Sequence, residues 1–105
     1  MGKALEVPVY RLLGGAFRDR IPCYASGLFR KDCPDNTQRL VNEARGYVDQ
    51  GFPAMKMKTG LWKTYDVTNV AAVREAVGDH ILLAIDVNLA YDVGTAIEVG
   101  RKLSE

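Results

Sequence analysis

The stretch "GFPAMKMKTG", residues 51–60, decides how this chain is read. Ala54, Met55 and Met57 mark a strand over residues 53–58, and Lys56 and Lys58 alternate with them. Residues two apart share a strand face, so both ammonium groups lie on one side. Lysine is almost never fully buried unless it is paired, and an unpaired buried cation is expensive. Two lysines ending a strand are most often solvated surface charges. The alternative is that they have work to do at the carboxyl end of the strand.

The flanking sequence supplies the context. After the loop "TGLWKTYD", Asp66 is expected to cap a helix that turns Val70, Val73 and Val77 inward and stops at Gly78. In "HILLAIDVN", residues 81–85 form a continuous apolar run, the pattern of a strand buried on both faces. A last helix is expected from about Val93 to Leu103. Upstream, Leu40, Val41, Ala44 and Val48 form one stripe of a helix over 37–50, capped by Asp35 or Asn36 and closed by Gly51. "IPCYASG", 21–27, reads as a strand. Residues 3–13 read as a short helix, with Pro8 arguing against a smooth one and Gly14 and Gly15 stopping it. Strand and helix alternate three times. This predicts an α/β fold of parallel strands joined by right-handed crossovers.

Bulk properties narrow the function classes. The chain has 105 residues, enough for one small domain, with 48% apolar residues and a net charge of +1. Near-neutral charge gives no reason to expect a nucleic acid or a membrane as partner. No apolar run is long enough to span a bilayer, and the start lacks a signal-peptide pattern. Met1-Gly2 fits an acylation signal poorly, because Glu6 stands where Ser or Thr is wanted. Cys23 and Cys33 have no metal-site spacing. They are expected to be free thiols in a reducing cytoplasm, with Cys23 a small buried hydrophobe.

In parallel α/β sheets, ligands bind at the carboxyl ends of the strands. Lys56 and Lys58 sit at one such end, and Asp86 and Asn88 sit at the next. Neighbouring strands lie about 5 Å apart, so these side chains would converge on one pocket. Two adjacent cations disfavour each other's charge, and partial burial acts the same way. Such a lysine can serve as a general base. An Asp with an Asn two residues on suits a hard cation such as Mg²⁺, although the same pair could simply be a turn and helix cap. A base beside a cation that holds an oxyanion is the arrangement for removing a proton next to a carboxylate. Tyr24 and Ser26, at the end of the first strand, could line the pocket, with packing the stronger role for Tyr24. Trp62 and Tyr65 could cover a ligand or pack on their own scaffold. His80 reads as a surface loop residue.

"GKALEVPVYRLLGG", "YASGL", Lys56-Met57-Lys58 and "VREAVGDHILLAIDVN" together resemble the mandelate racemase and muconate lactonizing branch of the enolase superfamily. The resemblance runs along the whole chain. It implies a partial (β/α)₈ barrel of about three βα units, preceded by a short helix. Residues 1–20 would be the remnant of the segment that joins a capping domain to the barrel, and 21–105 the first three units. Superfamily sites use a Lys or His base with Mg²⁺. By that resemblance Lys58 is the base, Lys56 contacts the substrate carboxylate, and Asp86 is a Mg²⁺ ligand with Asn88 close by. The substrate class is a small carboxylic or sugar acid, turned over by a dehydratase, racemase or epimerase. The other acidic ligands and a second acid/base residue belong to later strands. The expectation is therefore a fragment that is inactive alone and forms a homo-oligomer through its open sheet edges. The alternative is a non-catalytic, self-associating α/β module.

Overall fold

The computed structural model describes residues 1–31 and 33–104, so Asp32 and Glu105 lie outside the described residues. Three parallel strands form one sheet in the order β1-β2-β3. They are β1 (Ala25–Gly27), β2 (Ala54–Lys58) and β3 (Leu82–Asp86). The helices are α1 (Val9–Leu12), α2 (Asn36–Asp49), α3 (Lys63–Val77) and α4 (Val93–Leu103). A helix follows each strand, as the alternation of patterns predicts, and the whole is an α/β unit with three βα repeats.

The period of two in "AMKMK" sorts the sheet into two faces. Met55 and Met57 are buried among Leu40 and Ala44 of α2 and Val70, Val73 and Val77 of α3. Leu83 and Ile85 of β3 pack against the same cluster. Lys56 and Lys58 point the other way, and the register carries the pattern across strands: Ser26 lies opposite Lys56, and Lys58 opposite Asp86. Gly51, at φ +84°, and Gly78, at φ +75°, end α2 and α3 in conformations that glycine adopts without strain.

Several expectations need correction. The helix expected over 3–13 is only four residues long and starts directly after Pro8. None of its residues is buried, so no apolar stripe supports a longer helix. The first strand begins at Ala25, not 21. Cys23 therefore lies outside the sheet and is exposed, not buried; Cys33 is also an exposed free thiol. β3 is covered on one face, not two: Leu82 is 65% exposed, because both helices that cover the sheet lie on the methionine side. Asp35 occupies the cap position of α2 without a side-chain cap bond. Asn36 is instead a buried tether, accepting from the Lys31 amide at 2.8 Å and donating to the Tyr65 hydroxyl at 2.6 Å. Trp62, not Asp66, holds the cap position of α3. No helix among the described residues is long and apolar enough to cross a membrane.

Candidate active site

The site stands at the carboxyl ends of β2 and β3. Register places Lys58 beside Asp86, and the Lys58 ammonium donates to Asp86 Oδ2 at 2.6 Å. The chain then turns through Asn88, whose φ of +47° is tolerated by Asn better than by most residues. This turn brings Asn88 Oδ1 back to the same ammonium at 3.0 Å. Asp86 Oδ1 accepts from the Asn88 backbone N–H at 3.1 Å. Lys56 Nζ stands 3.3 Å from the same oxygen, Asp86 Oδ2. Asp86 is thus a counter-ion shared by two lysines. The Lys58 hydrogen bond, the Asn88 amide and the Lys56 ammonium hold its carboxyl down to about 2.

The four residues expected at the two strand ends therefore meet. The two expected from the first strand stand to one side. The Tyr24 ring centre is 5.7 Å from Lys56 Nζ, within range of a cation–π contact, and Ser26 is exposed opposite Lys56. A cavity of about 280 Å³ opens beside Lys58, lined also by Thr59, Gly60, Asn88 and Phe29. Lys56, Asp86, Tyr24 and Ser26 are not part of its lining. A larger hollow of about 630 Å³ lies against residues 10–21, away from the strand ends. Trp62 is exposed and meets Tyr65 edge-to-face, and His80 is exposed as expected.

A clamp around these residues was not foreseeable as such. Buried Asp66 accepts from the Gly60 and Leu61 amides at 3.0 and 2.9 Å and from the Tyr91 hydroxyl at 2.6 Å. It ties the loop after Lys58 to the loop after Asp86. The Thr59 amide adds a bond to the Asp86 carbonyl at 3.0 Å. Burial and the hydrogen bond to Asp66 push the Tyr91 phenol up to about 12. The sequence signals were only a glycine after the strand and an acid in the first turn of a helix. On the β1 side, Glu43 accepts from the buried Leu28 amide at 2.9 Å and from the Tyr47 hydroxyl at 2.8 Å. Burial works to raise the Glu43 carboxyl, but these bonds and Arg39 together hold it below its ordinary value.

Comparison with known proteins bears on the family and the fold. The enolase C-terminal domain-like family profile matches residues 39–105. The chain is 35% identical over 106 residues to the arabinonate dehydratase of Saccharolobus solfataricus, covering 100% of this chain and 28% of that enzyme. It is 37% identical over 101 residues to the D-galactarolactone cycloisomerase of Agrobacterium fabrum, covering 96% of this chain and 27% of that enzyme. Among solved structures, the 3,6-anhydro-D-galactonate cycloisomerase from Zobellia galactanivorans superposes with a TM-score of 0.88 at 43% identity, over 98% of this chain and 28% of that one. A mandelate racemase/muconate lactonizing enzyme from a marine actinobacterium, in complex with magnesium, gives 0.76 at 30% identity, over 99% of this chain and 28% of that one. The chain spans a little over a quarter of the length of these relatives. By profile, by identity and by superposed structure, it belongs to the enolase C-terminal domain-like family, in the mandelate racemase and muconate lactonizing branch of the enolase superfamily.

Proposed function

We propose that this chain carries one edge of a site that removes the α-proton of a small carboxylic acid, most naturally a sugar acid, as in a dehydratase, racemase or epimerase. The observation that carries the reading is the meeting of Lys58 with Asp86 and Asn88 across adjacent strand ends. Relatives named as sugar-acid dehydratases, a racemase and a dipeptide epimerase support the reaction class.

The donor set fits a hard divalent cation such as Mg²⁺. Asp86 and Asn88 offer oxygen atoms, and both already meet on one cationic group, the Lys58 ammonium. When bound, Mg²⁺ would supply positive charge to a substrate carboxylate that is becoming an enediolate. Lys58 takes the α-proton on Nζ once it is neutral and free of Asp86. Lys56 holds the substrate carboxylate, with Tyr24 against it and Ser26 opposite. The Asp66 clamp fixes the two loops that flank the cavity, so that Lys58 starts from a defined position.

Among the described residues, no group of three or more His, Cys, Asp or Glu could hold a metal ion. One carboxylate should bind Mg²⁺ weakly, so the 105-residue chain by itself should not turn over substrate. We assign residues 1–20 to the segment that joins a capping domain to the barrel and 21–105 to the barrel's first three βα units. The free cysteines suit a cytoplasmic setting. A second reading, a non-catalytic self-associating module, is favoured by the uncovered apolar groups on β3 and α4: Leu82, Val93 and Ile97.

The test combines calorimetry with NMR. Mg²⁺ binding should be weak and should vanish in Asp86→Ala. With Mg²⁺, a panel of sugar acids, mandelate-like acids and dipeptides should show no α-proton exchange in deuterated water above the Mg²⁺ background. Exchange that disappears in Asp86→Ala would show a competent half-site and overturn the expected inactivity. Absence of any Mg²⁺ binding would leave the module as the better reading.

A further inference from the structure

Lys58 does more in this structure than stand near the oxygen atoms that would hold a cation. Its ammonium is the group on which they converge. Asp86 Oδ2 lies 2.6 Å from Lys58 Nζ and Asn88 Oδ1 lies 3.0 Å from it. Lys56 reaches Asp86 Oδ2 at 3.3 Å, and no hydrogen bond joins it to Asn88. The Lys58 side chain is 21% exposed and that of Asp86 30%, so the pair is neither locked in the interior nor fully dissolved in water. In this arrangement Lys58 Nζ is turned to the carboxylate and not to the cavity. The cavity beside it is lined by Lys58 and Asn88 but not by Asp86, so a Lys58 released from the carboxylate already borders the space a substrate would enter.

Resting on the reading of Asp86 and Asn88 as cation ligands, we infer that Lys58 holds the cation's place on them, so that cation binding and release of Lys58 towards the cavity are one event. Lys58 is then an internal competitor. The chain keeps its base covered until the cation is present, and its affinity for the cation is lowered by the same contact. Lys58 Nζ bridges Asp86 Oδ2 and Asn88 Oδ1, so a cation can take both oxygens only by displacing it. A pair this exposed opposes the exchange only modestly.

The experiment titrates the chain with Mn²⁺, which accepts the same hard oxygen ligands, and follows the free ion by electron paramagnetic resonance. Lys58→Met keeps the length of the side chain and removes the competitor, and it should bind Mn²⁺ up to about fivefold more tightly than the wild type. Lys58→Gln is the second variant, should the first fold poorly, and should tighten binding in the same direction. Lys56→Met should gain less than half as much, because it frees only one of the two ligands. Asp86→Asn in the Lys58→Met background should abolish the gain. Equal affinity in wild type and Lys58→Met, with binding lost in Asp86→Asn, overturns the competition and leaves Asp86 as a ligand. Equal gains in Lys56→Met and Lys58→Met would reflect loss of charge alone and would also overturn it. Binding that survives Asp86→Asn removes Asp86 as a ligand, and the competition with it.

Discussion

Gly60 sits at φ +100°, and a Cβ there would stand 2.6 Å from the Val87 carbonyl oxygen and 2.8 Å from Ala90 Cβ. The first obstacle is backbone, which cannot swing aside. Gly60→Ala should therefore destabilise the chain by ~1–3 kcal/mol, seen as a lower denaturant midpoint; a wild-type midpoint would mean that the loop after Lys58 is not held as described. Tyr91, on the other side of the clamp, makes a pH prediction. Its phenol is pushed up to about 12 by burial and Asp66, above the unfolded value near 10. A raised value means that its stabilising effect is complete below pH 10 and is lost as pH rises from about 10 through about 12. The tyrosinate absorbance titration should contain a component near 12 that Tyr91→Phe removes, and a titration unchanged in that variant would refute the assignment. The lysines and Asp86 were legible in sequence because a period of two and a strand end fix where each points. The Asp66–Tyr91 bond was not, because it joins residues 25 apart through two loops whose course no periodicity specifies.

Among elements, legibility followed burial. The stripe of α2 was readable because Leu40 and Ala44 meet the buried Met55 and Met57. The four-residue α1 buries nothing, so the apolar spacing at its start had no partner to make it a helix. Leu40→Ala should cost ~2–5 kcal/mol, whereas Val9→Ala should stay within ~0.5 kcal/mol. Chemical denaturation measures both, and comparable losses would contradict this division between α1 and the sheet-packed helices. β3 shows how a pattern can mislead. Its apolar run matches a strand covered on both faces, but only alternate residues meet the core: Ile81 is buried in the cluster, and Leu83 and Ile85 pack against it. Leu82 and Ala84 share the face of Lys56 and Asp86, and no helix among the described residues covers it.

At the scale of the whole molecule, the radius of gyration is 17.9 Å, against about 13 Å expected for a compact domain of this length. The first two dozen residues lie outside the sheet and expose Leu5, Val9, Leu13 and Phe17. With Leu82, Leu89 and Val93 also exposed, and with both β1 and β3 at sheet edges, the chain should self-associate at micromolar concentration. Sedimentation showing a monodisperse, cooperatively folding monomer would contradict that. The proposed role of Lys58 is that of base in an α-proton abstraction whose cation is held by Asp86. It is tested most directly in a chimera, with residues 1–105 replacing the matching 28% of the Saccharolobus solfataricus arabinonate dehydratase. Solvent deuterium at the α-carbon of arabinonate would be followed by NMR, and Mg²⁺ binding by calorimetry. Exchange is expected in the chimera, with its loss in Lys58→Ala while Mg²⁺ stays bound; deuterium incorporation undiminished in Lys58→Ala would rule Lys58 out as the base.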